Sequence, residues 1–209
     1  PKRKTIGYGV DRTDVNDDFP RVFFNYSLGV KDFLGSDFDY KKVQLLYRHP
    51  FLLGGFGRLT PTIEVGKTFG TVPLGLMNVI PGNQSYFIIE NAFSQLNYYE
   101  FVTDEYFTLH LEHDFGGRLF SRLPYLRDLN LREIIGIRGA YGNVSDKNIA
   151  LNASNINYNA PKDKVYYEYF VGVGNIFKCL RFDVTWRGNY LENPGAKKVG
   201  VKAVFGFHF

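Results

Sequence analysis

Three ionisable side chains at alternate positions of one short stretch are the first candidates for chemistry. His110, Glu112 and Asp114 are each separated by a single residue. Side chains two positions apart on a β-strand point to the same face, so these three would lie side by side. An imidazole beside two carboxylates suits a metal site or a general acid–base pair. Ion pairs with Arg132 and Arg138 on a neighbouring strand would explain the same spacing, and we favour this second interpretation.

The same alternation places charged residues on the polar side of other segments. We predict that they form a ladder of ion pairs facing the interior of the fold, made of His110, Glu112, Asp114, Arg132, Arg138, Glu168, Arg181, Asp183 and Arg187. An enzyme acting on lipid or protein at a cell surface would instead need a catalytic cluster at the strand ends. The candidates there, which lack a histidine, are Asp104, Glu105, Ser145, Asp146 and Ser154. We therefore expect no catalytic residue, no metal and no cofactor, and a barrel enzyme is the alternative.

The polar positions belong to eight segments in which apolar and polar residues alternate: 21–31, 42–51, 58–69, 105–115, 131–143, 165–174, 178–190 and 197–209. Each has about ten residues or more, the length that a tilted strand needs to cross a bilayer. A soluble β-sandwich would show the same alternation, with its apolar face in a protein core. An outer-membrane barrel turns that face to lipid and its polar face inwards.

Three features favour the barrel. Aromatic residues on the apolar side stand near segment ends, as in the interfacial girdles of membrane barrels; they are Phe51, Phe69, Phe115, Tyr141, Tyr167, Trp186, Phe207 and Phe209. The opposite side is rich in ionic residues. Short connections at 54–57 and 175–177 contrast with long ones at 71–104 and 144–164, which matches short periplasmic turns and long extracellular loops. The sequence therefore predicts an all-β, antiparallel transmembrane β-barrel.

Composition agrees with strands and excludes other classes. Aromatic residues make up 17% of the 209 residues, and there are 22 glycines, a profile more typical of strands and turns than of helices. The net charge of +4 is spread along the chain without a basic block, so we expect no nucleic-acid partner. The charge-free stretch 68–89 is interrupted by Pro73 and Pro81, which predicts a loop rather than a transmembrane helix. The single Cys179 excludes an internal disulfide.

The two ends of the chain carry further expectations. The last segment, KKVGVKAVFGFHF, places Phe205, Phe207 and Phe209 at alternate positions. This resembles the C-terminal signature that the barrel-assembly machinery recognises in bacterial outer-membrane proteins, and it implies a client of that machinery located in the outer membrane. The start, PKRKTIGYGV, lacks the apolar stretch of a signal peptide. We expect residues 1–209 to be the C-terminal part of a larger barrel of about sixteen strands.

Ile6, Tyr8 and Val10 alternate like the end of a ninth strand. An odd number of strands cannot close an antiparallel sheet in the usual way. We therefore expect an open edge near the first strand, where upstream sequence or another chain would pair, since unpaired backbone groups are costly in lipid.

Three stretches carry a family resemblance: IEVGKTFGTVPLGLMNVIPGNQSYF, NYYEFVTDEYFTLHLEHDFGGRLFSRLPYLRDLNLREIIGIRGAYGNVSDKN and VGVGNIFKCLRFDVTWRGNY. From about Ile63 onward the chain resembles the C-terminal barrel region of an uncharacterised Bacteroidota outer-membrane family, in which the barrel usually follows a carboxypeptidase-regulatory-like domain. More distantly, the order of elements is similar to the second half of sixteen-stranded BamA-type barrels, which implies transport or assembly of surface components. The sixth loop of those barrels carries an Arg-Gly-aromatic motif, whereas this chain has GNQSY at residues 82–86.

Overall fold

The computed structural model describes residues 5–6, 13–14, 19–33, 35–153 and 159–206. Within these ranges the strands are β1 (Thr5–Ile6), β2 (Thr13–Asp14), β3 (Arg21–Gly29), β4 (Tyr40–Arg48), β5 (Phe51–Leu52), β6 (Arg58–Phe69), β7 (Asn78–Val79), β8 (Val102–Thr103), β9 (Glu105–Asp114), β10 (Arg132–Asn143), β11 (Tyr166–Ile176), β12 (Leu180–Arg187) and β13 (Val199–Phe205). The helical elements described are α1 (Asp146–Leu151) and four single 3₁₀ turns, Gly54–Phe56, Leu74–Leu76, Phe120–Arg122 and Arg127–Leu129. No helix in the described ranges has the length and apolar character needed to span a membrane.

Eight long strands form the main sheet, in the order β13-β12-β11-β10-β9-β6-β4-β3, and β5 joins it as a ninth by pairing with β6. All pairings between these strands are antiparallel. Each of the eight segments predicted from alternation overlaps one long strand, and the bounds of 58–69 are reproduced by β6. The prediction of an all-β, antiparallel fold is confirmed. The final predicted segment, 197–209, corresponds to β13, Val199–Phe205. Phe207 and Phe209 lie outside the described residues.

The described sheet is open. Its end strands are β3 and β13, which are not paired with each other, so the eight long strands do not close into a barrel. The predicted ninth strand is not part of this sheet in the described residues. Thr5 and Ile6 instead pair with Asp14 and Thr13 in a separate two-stranded sheet. Tyr8 and Val10 lie outside the described residues.

The register gives the sheet one apolar and one polar face, because directly opposed residues of an antiparallel pair point the same way. On the apolar side Val171 is opposite Ile135 and Val184. Large side chains remain exposed along this side: Phe107, Ile135, Ile137, Tyr141, Tyr167, Tyr169, Val171, Phe182, Val199, Val201 and Phe205. On the polar side Glu168 is opposite Arg138 and Arg187. The alternation of the sequence therefore separates the two faces across the sheet.

The connection between β9 and β10 contains RLFSRLPYLRDL at residues 118–129, a stretch whose sequence predicts one short amphipathic helix lying at the interface. Two 3₁₀ turns replace it, and Leu123 between them is extended, with φ −95° and ψ 119°. Pro124 follows Leu123, and a residue before proline is sterically driven away from the helical region. The expected helix was wrong for this reason.

The connection between β6 and β9, residues 70–104, is here called the inserted loop. It carries the paired strands β7 and β8 and supplies most of a buried apolar cluster. Its side chains Ile80, Phe93, Leu96 and Phe101 meet Ala140 of β10 and Tyr166 of β11, and all six are at most 1% exposed. The sequence predicted only that this stretch is a long loop, whereas the structure folds it against the sheet.

Candidate functional site

The inserted loop is fixed to the polar face of the sheet by one buried carboxylate. Glu168 in β11 is fully buried and forms an ion pair with Arg138 of β10, with Nη1 and Oε1 2.7 Å apart. Its two oxygens also accept the backbone N–H groups of Ser94 at 2.7 Å and Gln95 at 2.9 Å. The Tyr166 hydroxyl donates to Oε2 at 3.1 Å. Burying a carboxylate without such partners costs free energy of folding, and these four donors offset that cost.

Arg138 completes this anchor from the side of the sheet. Besides Glu168, its guanidinium donates to the hydroxyl of Ser94 at 2.7 Å. Its flat face lies 4.5 Å from the centroid of the Phe170 ring, a cation–π distance. Two residues on neighbouring strands thus hold two consecutive residues of the loop. The arrangement positions the loop and engages both charged groups in hydrogen bonds.

A second anchor joins the loop to β12. Arg187, 2% exposed, donates through Nη2 to Glu100 at 2.5 Å and through Nη1 to the Gln95 carbonyl at 3.1 Å. Burial alone would raise the pKa of Glu100. The hydrogen bonds from Arg187, from the Asn97 amide and from Asn193 outweigh burial, and the pKa of Glu100 is lowered. Glu100 is therefore held as a carboxylate facing Arg187.

The remaining residues of the predicted ladder form separate groups. Arg181 donates to Glu112 at 3.1 and 2.8 Å and to Asp183 at 2.8 Å from both Nε and Nη2. Arg132 contacts Asp114 at 3.2 Å. Together with Arg138–Glu168 and Arg187–Glu100, these ion pairs include every member of the predicted ladder except His110.

His110 lies beside an aromatic ring rather than in an ion pair with Glu112 or Asp114. Its ring centroid is 4.7 Å from that of Phe93 in the inserted loop. Within the described parts of the chain, no group of three or more His, Cys, Asp or Glu side chains could hold a metal ion. His110, Glu112 and Asp114 share a face, as predicted, but they do not converge on a common ligand position.

A cavity of about 450 Å³ lies between the inserted loop and the β11–β12 turn. Its lining contains positively and negatively charged side chains, among them Arg58, Arg181, Glu112 and Asp114. The turn itself places Asn175, Phe177 and Lys178 in the left-handed backbone region. Such a lining suits water or a small ionic occupant.

Asp104 and Ser145, two of the rim residues considered for catalysis, connect the two long loops instead. Asp104 accepts the backbone N–H of Ser145 at 2.7 Å and the side-chain amide of Asn148 at 3.0 Å. Asn148 in α1 is 1% exposed and also accepts the N–H of Val72 at 2.9 Å. The arrangement explains a structural role for Asp104. Ser154 lies outside the described residues.

Ser94, Gln95 and Glu100 were missed as site residues by sequence reasoning. A signal for Glu100 did exist, because residues 68–103 contain only two charged residues, Glu90 and Glu100. An isolated carboxylate in an otherwise uncharged loop indicates a cationic partner elsewhere. The backbone amides of Ser94 and Gln95 carried no signal, since every residue but proline has one.

Comparison with known families gives one match. The model of the C-terminal domain of a family of unknown function, DUF5686, matches residues 1–148. The matched part contains the whole inserted loop and Arg138, ends before Glu168, and begins upstream of Ile63, where the predicted resemblance starts. None of the curated proteins compared with the chain matches it. The predicted resemblance to an uncharacterised family is confirmed to this extent, and the chain belongs to the DUF5686 family through its C-terminal domain.

Proposed function

We propose that this chain is a region of an integral β-barrel of the bacterial outer membrane with a non-enzymatic role in transport or assembly of surface components. The observation that carries the proposal is the exposed apolar face of the eight-stranded sheet. Val171, Tyr169 and Ile137 are each between 45 and 50% exposed near the middle of that face. Soluble monomers rarely expose contiguous apolar patches larger than a few hundred Å². Lipid is the environment that makes such a face favourable.

The polar face supports the same proposal. The long ionic side chains of the sheet are paired on this side, and the inserted loop covers part of it with its own apolar cluster. Membrane barrels contain polar interiors, and in several of them a loop or helix fills the lumen. We therefore interpret the inserted loop as a plug of the barrel interior.

Open edges imply partners. Both faces of β3 are exposed, with Phe23 at 61% and Phe24 at 67%. An unpaired strand edge in lipid leaves backbone groups without hydrogen bonds. We infer that further strands, from upstream sequence or from another chain, complete a barrel of about sixteen strands similar to the BamA type. The Bacteroidota origin implied by the resemblance is part of the same proposal.

Insertion would require the barrel-assembly machinery as a second partner. The proposed assembly signal is Phe205, Phe207 and Phe209. Phe205 is 61% exposed on the apolar side of β13; the other two lie outside the described residues. We place this role ahead of an enzyme acting on lipid or protein because the carboxylate of Asp104 at the rim is already used to hold Ser145 and Asn148.

Trp186 offers a direct test, because it is the only tryptophan of the chain and stands on the apolar face, stacked on Tyr169 with ring centroids 5.6 Å apart. The chain is reconstituted into vesicles of phospholipids brominated on their acyl chains, and tryptophan fluorescence is recorded. We expect strong quenching by the brominated lipid. The matched control carries Trp186→Phe and Phe33→Trp, which moves the indole to an exposed loop beside Asp32. Equal quenching in both proteins, or none at Trp186, would overturn the proposal.

A further inference from the structure

A short part of the inserted loop is bound to the edge of the last strand. The N–H of Ala203 in β13 donates to the Tyr86 carbonyl at 2.9 Å, and the N–H of Ile88 donates to the Ala203 carbonyl at 2.7 Å. Phe87 and Ala203 thereby form an isolated parallel bridge. The other neighbour of β13 is β12, which pairs with it antiparallel. The loop therefore occupies the edge at which β13 would meet a further strand.

The polar face holds the same segment in place. Lys202, only 8% exposed, donates through Nζ to the Asn83 carbonyl at 2.9 Å and also to the Ser85 carbonyl. Asn83 is buried and closes the turn, because its Nδ2 donates to the Phe87 carbonyl at 2.7 Å and its Oδ1 accepts the Ser85 N–H at 2.9 Å. Residues 83–88 are thus a defined turn followed by a strand-like piece.

The end of this segment, residues 86–88, is attached less firmly than the rest of the loop. The side chains of Tyr86 and Phe87 are 86% and 63% exposed, whereas Phe93 and Leu96 are fully buried. Two backbone hydrogen bonds hold residues 86–88 to the edge, whereas Lys202 and the hydrogen bond from the Asn83 N–H to the Leu96 carbonyl hold the preceding turn. The Glu168 and Arg187 anchors lie further along the loop. Residues 86–88 can therefore leave the edge while the buried part of the loop, including Asn83, stays in place.

We propose that residues 86–88 form a displaceable latch on the edge of β13, and that an extended polypeptide strand binds this edge by β-augmentation when the latch leaves. The occupant runs antiparallel to β13, as every other neighbour in the sheet does, and carries apolar side chains at alternate positions to continue the face formed by Val199 and Val201. Latch and incoming strand exclude each other, because the single N–H of Ala203 has one acceptor at a time. This inference rests on the proposed function, because it is the proposed barrel that requires an additional strand.

The test uses residues 1–209 in detergent micelles with Cys179→Ser, and a fluorescent peptide of sequence RVFFNYSLG, which is that of β3. Binding is measured by fluorescence anisotropy. In one variant Ile88→Pro removes the N–H that donates to Ala203 without altering β13. In a second, Phe87→Cys and Ala203→Cys place two thiols at bridge partners, so that oxidation closes the latch. Tyr86→Ala is the matched control, because only the carbonyl of Tyr86 takes part in the contact. The peptide RVFFPYSLG, which lacks one N–H, controls for strand pairing.

Loss of one latch hydrogen bond should make RVFFNYSLG bind Ile88→Pro about tenfold more tightly than the parent, as expected when a competing closed state is depopulated. Tyr86→Ala should bind like the parent, and the oxidised double-cysteine protein should lose binding and regain it on reduction. Any of four results would overturn the latch. The parent and Ile88→Pro could bind the peptide with equal affinity, or the oxidised protein could bind it. The two thiols could fail to oxidise, or RVFFPYSLG could bind as tightly as RVFFNYSLG. None of these results depends on lipid, so the latch and the membrane proposal fail separately.

Discussion

Replacing Glu168 by alanine tests the anchoring of the inserted loop most directly. The substitution removes the acceptor of two backbone N–H groups, at Ser94 and Gln95, and of the Arg138 guanidinium. Arg138 would remain as a buried cation, since its side chain is 8% exposed. Breaking a buried ion pair by removing one partner costs about 3–5 kcal/mol. We expect a loss of that size in the free energy of unfolding and a looser loop.

Two measurements follow the effect. Urea unfolding of the reconstituted chain gives the change in stability from the shift of the midpoint at unchanged slope. Chymotrypsin with mass spectrometry reports the loop, because residues 70–104 contain several aromatic sites. In the parent, cleavage should occur at the exposed Tyr86 and Phe87, while Phe93 and Phe101, which are fully buried, are protected. In Glu168→Ala, cleavage at Phe93 and Phe101 should appear.

Glu192→Ala is the matched control, because it removes a glutamate from an exposed position of the β12–β13 loop. The double variant Glu168→Ala, Arg138→Met should lose less stability than the sum of the two single variants, since it leaves no unpaired buried charge. The reasoning is refuted if Glu168→Ala unfolds within about 0.5 kcal/mol of the parent, the usual range of surface substitutions, and Phe93 stays protected.

Three further predictions concern the lipid face, an ion pair and a close approach. Val171→Arg should destabilise the protein in bilayers by about 2–4 kcal/mol, and Val171→Leu by much less; equal urea midpoints would contradict the lipid-facing assignment. Because the pKa of Glu100 is lowered in the folded protein, its contribution is present above the unfolded-state pKa and is lost as pH falls through the folded-state value. Urea midpoints should therefore drop on acidification below the ordinary glutamate pKa of 4.5, and Glu100→Gln should flatten part of that drop. Gly82→Ala should loosen the loop, since a Cβ there would lie 2.5 Å from the backbone carbonyl oxygens of Leu96 and Asn97, whereas Gly206→Ala meets no atom within 4 Å; similar chymotrypsin patterns for both would argue against this contact.

Alternation along the chain was sufficient to predict the strands and their two faces. In segment 58–69 every second residue from Leu59 to Phe69 is apolar except Lys67, and the period of two in side-chain direction turns this into one apolar face. The antiparallel order of consecutive strands follows from the short connections at 54–57 and 175–177. The location of the chain in a membrane stays a prediction, because a sandwich and a barrel share the same alternation.

The position of the inserted loop was decided by the tertiary structure alone. Its anchor joins the amide of Ser94 to Glu168, 74 residues apart, and Lys202 reaches the carbonyl of Asn83 across 119 residues. In both contacts the loop contributes a backbone group, and backbone groups are the same in every sequence. The local sequence pattern predicts which strand positions are polar and which are apolar. The pairing of each ionic residue of the sheet with a loop residue depends instead on strand register and on how the loop's apolar side chains pack against Ala140 and Tyr166.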